Sequence, residues 1–424
     1  MEFIDSKEKK RSRIMYIAEA TLEYLICIAV GGAYLATLGH ELGMSDSLIG
    51  IISSIISLGC LFQLLSVFYR RPKKKKFVII MSILNQLLFT ALYILPIGDK
   101  FKEYKSVIFI VVILAAYLIY NIAHPKKIEW MMSHVDDKKR GKFTANKEIT
   151  SLIVGMVFTY GLGAVIDHYK AKEELKTALI IVAFVMLVVT ALHTLSMIFT
   201  TEEPVEYVEK TSLKKNMQEL LQNKKLMGVV VVFSLYYVAT HVATPFYGAY
   251  LTGELQFSMI LISTLSIASS AIRVFFGKRW GAYADKTSFA NMLTKTLAIQ
   301  TLAFVFATLA NPSNGVIMMA GYYLCYGIAI GGINSCYINL VFDYVTPEKR
   351  ADSLAICLAI AGLSGFLATL AVTPLFAYIQ ANELVIAGMQ IYAQQVVSFI
   401  AFILTIVAML FVSKKMLVKK EANE

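Results

Sequence analysis

Charged residues are scarce in this sequence. They make up 16% of its 424 residues, whereas about 25% is usual in soluble globular proteins. Apolar residues make up 57% of the chain, and there are only eight prolines. The apolar residues come in runs of about 20, which is the length that an α-helix needs to cross a bilayer. The scarcity of charge therefore argues against a soluble globular protein and predicts a polytopic membrane protein.

Cysteine is also scarce, and its placement argues against two kinds of site. The five cysteines are Cys27, Cys60, Cys325, Cys336 and Cys357. All lie inside apolar runs, and no two of them form a CxxC pair. An odd number in such places favours neither a disulfide framework nor a zinc site. We predict no metal and no cofactor.

Several catalytic motifs are missing from the sequence. It has no G-x-x-x-x-G-K-[ST] loop, which argues against an ATP-driven pump. It also has neither an HExxH nor a GxSxG motif, which argues against a membrane protease or acyltransferase. We therefore predict that the protein is not an enzyme.

The net charge of +11 could suggest a nucleic-acid partner, but its distribution predicts a membrane topology instead. Lysine and arginine are concentrated in the amino-terminal segment, in alternate short loops and in the tail KKMLVKK. The loops between these, such as GHELGMSDS, are acidic, balanced or neutral. Cytoplasmic loops carry such an excess of positive charge. We predict a multi-pass protein of the cytoplasmic membrane, with both termini in the cytoplasm and no nucleic-acid partner.

Twelve apolar runs are long enough to cross a membrane. They are 14–38, 48–68, 77–97, 106–132, 145–166, 178–200, 226–252, 257–277, 288–310, 314–342, 353–379 and 391–413. Each must be helical, because backbone polar groups in lipid have to find partners within the segment. The sequence thus predicts an all-α fold with an amino-terminal six-helix bundle at 1–200, a cytoplasmic linker at 201–225 and a carboxy-terminal six-helix bundle at 226–424.

The two halves share a short pattern. HVDDKKRGKF follows the fourth span and YVTPEKRADS follows the tenth. A shift of 210 residues, the difference between 350 and 140, places Arg140 on Arg350 and Gly155 on Gly365. Transporter folds built from internal repeats retain such weak similarity. The pattern therefore indicates duplication and two pseudo-symmetric bundles.

The loop WGAYADKTSFANML at 280–293 carries the most specific motif. Gly281 is followed four residues later by Asp285 and then by Lys286. With twelve spans in two halves, this loop resembles the cytoplasmic loop motif of the major facilitator superfamily, and the basic loops at Arg140 and Arg350 are also typical of that family. The corresponding first-half loop, RRPKKKK, has neither the glycine nor the acid.

The resemblance covers essentially the whole chain and implies a transporter that works by alternating access. It implies that spans one, four, seven and ten line a central cavity. It also implies that Asp285 caps the N-terminus of a neighbouring helix, where the helix dipole favours a carboxylate.

Polar side chains are concentrated in those four spans. The candidate solute-binding residues are Asn121, His124, Tyr237, Thr244, Tyr247, Tyr326, Asn334 and Tyr337. Helix packing is the alternative for each tyrosine, since hydroxyls in membrane helices bond to neighbouring backbone. His241 lies mid-span, and we predict that it faces the cavity because a lipid-facing imidazole is costly. The residues predicted to serve helix packing are Asn85, Gln86 and His193.

The first span carries two carboxylates one helical turn apart, Glu19 and Glu23. At about 1.5 Å per residue, Glu19 lies about 8 Å deep and Glu23 about 14 Å deep. A salt bridge to Arg11, Arg13 or Lys126 would satisfy Glu19. Glu23 needs a cavity, a cation or a proton, and burial favours the protonated form of a carboxylic acid.

We predict that Glu23, with Glu19 and His241, forms the proton-coupling site. A bound substrate cation is the alternative. The lysines Lys126 and Lys127 are predicted instead to reach the membrane interface, where Trp130 would anchor the same helix.

These residues predict a secondary active transporter for a small organic solute, such as a sugar, a metabolite or a drug-like compound, coupled to protons. Its predicted partners are that solute, protons and the lipid bilayer, and the protein is predicted to be a monomer. The alternatives are a glycolipid or lipid flippase of the same fold and a non-transporting membrane sensor.

Overall fold

The structure is almost entirely helical. The computed structural model describes residues 6–68, 74–98, 102–135, 140–202, 222–342, 345, 350–382, 384–386 and 389–415. Within these residues eleven helices are long and apolar enough to cross a membrane, and a bent pair near the amino terminus brings the number to twelve if it forms one span. The predicted all-α polytopic fold is therefore confirmed.

Helices succeed one another along the described residues with few other elements between them. Those of the first half are α1 (Ser6–Ala29), α2 (Gly32–Glu41), α3 (Asp46–Phe62), α4 (Lys75–Ile94), α5 (Lys105–Met132), α6 (Arg140–Lys170) and α7 (Leu175–Ile198). Those of the second half are α8 (Lys224–His241), α9 (Tyr247–Thr252), α10 (Met259–Lys286), α11 (Phe289–Leu309), α12 (Gly315–Phe342), α13 (Arg350–Asn382) and α14 (Ala393–Lys415). Short 3-10 segments occur at Gln63–Phe68, Lys102–Tyr104 and Thr244–Phe246. A small hairpin that the sequence does not predict pairs β1 (Val385–Ile386) with β2 (Met389–Gln390) before α14.

The first span is broken near its middle. α1 and α2 are bent by 42°, and the joint contains Gly32 at a φ of 53°, a left-handed conformation that glycine adopts without steric cost. The Ala29 carbonyl at the end of α1 accepts a hydrogen bond from the buried hydroxyl of Tyr93 on α4. A buried carbonyl freed by a helix break is thereby satisfied.

The seventh span is broken at a proline. α8 ends at His241, and Pro245 lies in the 3-10 segment that precedes α9. Proline has no backbone N–H and its ring obstructs the preceding turn of a helix. The interruption therefore follows directly from the sequence.

The helices group into two compact units. The first contains α1, α2, α4, α5, α6, α7 and the first turn of α10. The second contains α3, α8, α9, the remainder of α10 and α11 to α14. This grouping differs from a division at the linker alone, because α3 and the start of α10 each belong with helices of the other half of the sequence. The predicted boundaries at 200 and 226 stay predictions, and most of the linker, residues 203–221, lies outside the described part.

Helix packing repeats between the halves. In the first unit α1 packs on α6 and α7, and α4 packs on α5 and α7; in the second unit α8 packs on α13 and α14, and α11 packs on α12 and α14. A Cβ placed on Gly155 would press on the Tyr24 ring of α1, and one on Gly365 would press on the His241 ring of α8. The paired glycines thus mark equivalent close approaches, which agrees with the predicted duplication.

The segment that follows α7 is held by the amino-terminal unit. A carboxylate oxygen of Glu202 accepts hydrogen bonds from the backbone N–H groups of Lys74 and Lys75 at the start of α4, at 2.9 Å for Lys75. The Thr201 carbonyl accepts a 2.8 Å hydrogen bond from the indole of Trp130. Trp130 is fully buried, so it ties α5 to this segment rather than exposing its ring.

Candidate functional site

Three charged side chains meet inside the first unit. Lys127 of α5 donates to both carboxylates of α1: its Nζ lies 2.8 Å from Glu19 Oε1 and also contacts Glu23 Oε2. The two glutamates are four residues apart, so α1 presents them on one face. Glu19 and Lys127 are almost fully buried, whereas 15% of the Glu23 side chain is exposed. The Lys127 ammonium, shared by the two carboxylates, therefore compensates part of the negative charge that the sequence places in the first span.

A histidine joins this group from a third helix. His193 of α7 has no exposed surface, and its Nε2 lies 3.1 Å from Glu19 Oε1 and 3.8 Å from Glu23 Oε2. Gln86 of α4 donates from its amide nitrogen to His193 Nδ1 at 3.0 Å. We call Glu19, Glu23, Lys127 and His193 the ionic cluster. With a neutral imidazole, two carboxylates and one ammonium give the cluster a formal charge of −1.

A small recess lies against the ionic cluster. Its polar lining consists of Glu23, Ser82, Asn85, Tyr120, His124 and Lys127. Tyr120 donates a 3.2 Å hydrogen bond to Glu23 Oε1, and the His124 ring lies against the Tyr120 ring with centroids 5.0 Å apart. His124 Nδ1 is 3.9 Å from Glu23 Oε1. Two members of the cluster, Glu23 and Lys127, thus line the recess.

The structure corrects three sequence predictions about these residues. Glu19 pairs with Lys127, whereas the sequence predicts Arg11, Arg13 or Lys126, and the buried Lys127 does not extend to the membrane interface. His193 and Gln86 do more than pack, because both bond to the cluster. Polar side chains at spacings of four and three along α5, at Tyr120, His124 and Lys127, are the signal that would have identified the face turned toward α1.

His241, predicted to couple protons, belongs to a separate arrangement in the second unit. Its Nδ1 donates to the Tyr237 carbonyl at 2.9 Å, and its Nε2 accepts from the Ser57 hydroxyl of α3 at 2.5 Å. Its ring stacks on Tyr237 with centroids 5.1 Å apart. The Thr369 hydroxyl of α13 donates to the His241 carbonyl at 2.8 Å. The residue therefore joins α8 to α3 and α13, and its coupling role stays a prediction.

The first-unit candidate Asn121 is buried and fully engaged. Its amide nitrogen donates to the Tyr117 carbonyl at 2.8 Å, and its oxygen accepts from Gln63 at 3.1 Å. These contacts are those of helix packing. Of the candidates on α5, His124 alone lines the recess.

The candidates of the second unit have mixed surroundings. The Tyr247 hydroxyl is hydrogen-bonded to Ser398 at 3.1 Å, and Tyr326 stacks on Tyr322 with centroids 5.5 Å apart. Thr244 donates to the Thr240 carbonyl one turn earlier. Asn334 is exposed, and the side chain of Tyr337 lies outside the described residues. Solute binding by these residues stays a prediction.

The loop motif falls at the end of a helix. Gly281, Asp285 and Lys286 all lie in the last turns of α10, and Asp285 and Lys286 are exposed. The N-terminus of the next helix, α11, is capped by Ser288, whose hydroxyl accepts from the Asn291 N–H at 3.1 Å. Arg140 and Arg350 are the first residues of α6 and α13, but their side chains lie outside the described part. The capping role of Asp285 stays a prediction.

The ionic cluster contains ligand atoms that could bind a metal ion, but an ammonium group already occupies them. Ligand atoms of Glu19, Glu23 and His193 lie within 4.8 Å of one another, and such donors suit several divalent ions. The Lys127 ammonium, however, already bonds both carboxylates. A cation held at the same oxygens would be repelled by it, so we assign no metal to this cluster.

Comparison with known proteins places the chain in a family. No curated protein sequence matches it. Solved structures of the same fold include the nucleoside transporter NupG, with a TM-score of 0.69 and 15% identity over 97% of this chain and 100% of that one. They also include an auto-inhibited POT family peptide transporter, with a TM-score of 0.70 and 11% identity over 98% and 99%. A D-xylose-proton symporter matches with a TM-score of 0.69 and 15% identity over 95% and 97%. The sequence profile of the Major Facilitator Superfamily matches residues 20–369, and the chain therefore belongs to this superfamily.

Proposed function

We propose that the protein is a secondary active transporter that moves a small organic solute across a cell membrane by alternating access and couples this movement to protons. The superfamily and the fold support transport. The ionic cluster supports the coupling. Similar structures include transporters of nucleosides, peptides and D-xylose with protons, and these three solute classes are the first to test.

The observation that carries the coupling proposal is the formal charge of the ionic cluster. Ionisable residues inside membrane helices are expensive and generally serve a transport pathway or a proton relay. Here the Lys127 ammonium compensates one of the two carboxylates of Glu19 and Glu23. One further positive charge would make the cluster neutral. A proton or a cationic group of the solute supplies it.

In this proposal, the solute meets this charge at the recess. Glu23 and Lys127 place an anion and a cation beside each other in its wall, with Asn85, Tyr120 and His124 around them. Aromatic and amide side chains in such a wall suit a polar organic solute. Uptake of the solute and neutralisation of the ionic cluster are therefore linked through one pair of charges.

The test uses purified protein in proteoliposomes with an imposed pH gradient. Nucleosides, pentoses and dipeptides are each supplied as radiolabelled solutes, and an internal pH dye records proton movement. We expect one class to accumulate with the gradient. Glu23→Gln should abolish gradient-driven accumulation because it removes one titratable charge at constant shape.

Glu41→Gln is the matched control, since Glu41 is an exposed glutamate at the end of α2. It should leave accumulation unchanged. Full gradient-driven accumulation by Glu23→Gln would remove Glu23 from the coupling site. Accumulation that ignores the pH gradient in the unaltered protein would remove proton coupling altogether.

A further inference from the structure

We propose that His193 is the proton-binding group of the ionic cluster and that the side-chain amide of Gln86 is the switch that accommodates the proton. The use of this proton in transport rests on the proposed function. The proton site itself rests on the hydrogen-bond geometry around one buried imidazole.

Donor and acceptor roles fix the form of His193 in the structure. A carboxylate oxygen only accepts hydrogen bonds, so the Nε2 atom that lies 3.1 Å from Glu19 Oε1 carries a hydrogen. The amide nitrogen of Gln86 only donates, so the Nδ1 atom 3.0 Å from it is an acceptor. His193 is therefore neutral here, with one free basic nitrogen turned toward Gln86.

The side-chain amide of Gln86 can hydrogen-bond to either the neutral or the protonated ring of His193. Its Oε1 is buried and has no hydrogen-bond partner among the described residues. A half-turn of the amide exchanges this oxygen with the nitrogen in nearly the same volume. The oxygen then accepts from a protonated Nδ1, and both imidazolium nitrogens donate, one to Gln86 and one to Glu19. Either orientation leaves one amide atom unpaired, so the rotation loses no hydrogen bond.

Charge favours the protonated ring at this position. A proton on His193 brings the cluster from −1 to zero, and a buried uncompensated charge is costly. The imidazolium would also strengthen its contact with Glu19, because the donor and the acceptor then carry opposite charges. The Lys127 ammonium already bonds the carboxylates of Glu19 and Glu23.

Several other titratable groups face the cluster from the helices around it. They are Tyr16 from α1, Tyr120 and His124 from α5, and Lys147 from α6. His124 is the competing base, but its Nδ1 is 3.9 Å from Glu23, beyond hydrogen-bond distance. The Lys147 ammonium lies over the Tyr16 ring, 5.0 Å from its centroid, and makes no ion pair with either carboxylate within the described residues. Among the described residues around the cluster, only His193 both bonds a carboxylate and has a neighbour that can exchange a donor for an acceptor.

The position of His193 connects the proton to the recess. His193 and Glu19 are completely buried, whereas Glu23 and Lys127 line the recess. Without the proton, Lys127 is divided between two carboxylates. When His193 is protonated, Glu19 pairs with the imidazolium. Lys127 is then left to pair with Glu23 and with a solute in the recess. Protonation behind the recess thereby changes the charge presented to the solute.

The test reads the protonation of His193 directly and needs no solute. Full-length protein with 15N-labelled histidine rings is placed in lipid nanodiscs, and ring nitrogen spectra are recorded from pH 8.5 to 5. The His193 ring should convert from the Nε2–H form to imidazolium, and its signal is identified by its absence in His193→Gln. In Gln86→Met, which fills the same space without an acceptor, conversion should need about tenfold more protons, or about one pH unit.

Gln300→Met is the matched control, because Gln300 is a fully buried glutamine on α11, in the second unit. It should leave the conversion unchanged. If His193→Gln does not fold, the signal that moves in Gln86→Met identifies the ring. A His193 ring that stays neutral to pH 5 overturns the proposal, and an unchanged conversion in Gln86→Met overturns the role of Gln86.

The failures of the two proposals are distinguishable. A neutral His193 in a protein whose uptake follows the pH gradient removes the histidine site and leaves proton-coupled transport in place. A His193 that becomes protonated in a protein that moves no solute with protons keeps the histidine site and removes proton-coupled transport.

Discussion

Lys127 is a counter-ion that the protein itself supplies to the first span. Its ammonium is almost fully buried and bonds Glu19 and Glu23. Breaking a buried ion pair by removing one partner leaves an uncompensated charge and typically costs about 3–5 kcal/mol. At the scale of the residue, Lys127 is therefore the member of the cluster on which the folded state depends most.

Lys127→Met should lower the apparent melting temperature of the purified protein by several degrees, because a destabilisation of about 3 kcal/mol or more is large against the net stability of a fold. The double variant Lys127→Met with Glu19→Gln should recover part of the loss, since it removes one of the stranded carboxylates. The measurement is thermal unfolding followed by tryptophan fluorescence and by aggregation.

Lys126→Met provides the comparison from the adjacent position. Lys126 lies 3.9 Å from a carboxylate oxygen of the partly exposed Glu129, and contacts of this kind contribute less than about 1 kcal/mol. An equal loss of stability in both single variants would mean that Lys127 is not specifically the counter-ion of Glu19 and Glu23.

At the scale of the elements, the end of α6 is hydrogen-bonded to the start of α10 and packs closely against it. The Asp167 carboxylate of α6 accepts hydrogen bonds from the first two backbone N–H groups of α10, at 2.8 Å from Met259 and 2.7 Å from Ile260. Such groups have no partner within their own helix, and the helix dipole favours a negative charge there. One turn before Asp167, Gly163 lets the two helices touch.

Two glycines of α6, Gly161 and Gly163, predict opposite outcomes for the same substitution. A Cβ on Gly163 would lie 2.8 Å from Ser263 Oγ and 3.0 Å from the Met259 carbonyl oxygen, whereas one on Gly161 meets nothing within 4 Å. Gly163→Ala should therefore destabilise the protein by about 1–3 kcal/mol. Gly161→Ala should be neutral, or stabilising by up to about 1 kcal/mol, because alanine favours a helix over glycine.

Thermal unfolding of the two alanine variants, measured side by side, decides this. Because they lie two residues apart on one helix, differences in insertion or expression are small. Equal melting temperatures would show that the approach of α6 to α10 is looser than the structure has it.

For the whole molecule, the distribution of lysine and arginine predicts that both termini are cytoplasmic. A green fluorescent protein fused after the carboxy terminus should fluoresce in bacterial cells. Alkaline phosphatase fused after Gly98, in the loop between α4 and α5, should be active because that loop lies on the opposite side. An inactive Gly98 fusion with an active carboxy-terminal phosphatase fusion would reverse the predicted orientation.

The sequence predicts the number of spans and their duplication because both depend on local patterns. Apolar runs of about 20 residues are visible one at a time, and the Arg140 and Arg350 repeat needs only a shift in register. The ionic cluster needs more. Lys126 and Lys127 point about 100° apart on an α-helix, so their partners depend on how α5 is rotated against α1. Tyr120, His124 and Lys127 mark one polar face of α5, but the sequence of α5 does not say which helix that face meets.

Residue type alone does not identify a functional residue, because its role depends on the residues around it. The sequence predicts Tyr247 and Asn121 as solute ligands in cavity-lining spans, yet each is hydrogen-bonded to another part of its own unit. His193 lacked any such mark in the sequence. Its importance comes from Glu19 and Gln86, which reach it from two other helices.

The joint between α1 and α2 divides the first span into two helical segments with different contacts. Glu19 and Glu23 lie on α1, whereas Tyr34 on α2 donates to the Thr159 carbonyl of α6 at 2.6 Å. The chain turns through Gly32, and the Tyr93 hydroxyl holds the Ala29 carbonyl. The two parts of the first span are therefore anchored separately, α1 through its carboxylates to Lys127 and α2 through Tyr34 to α6.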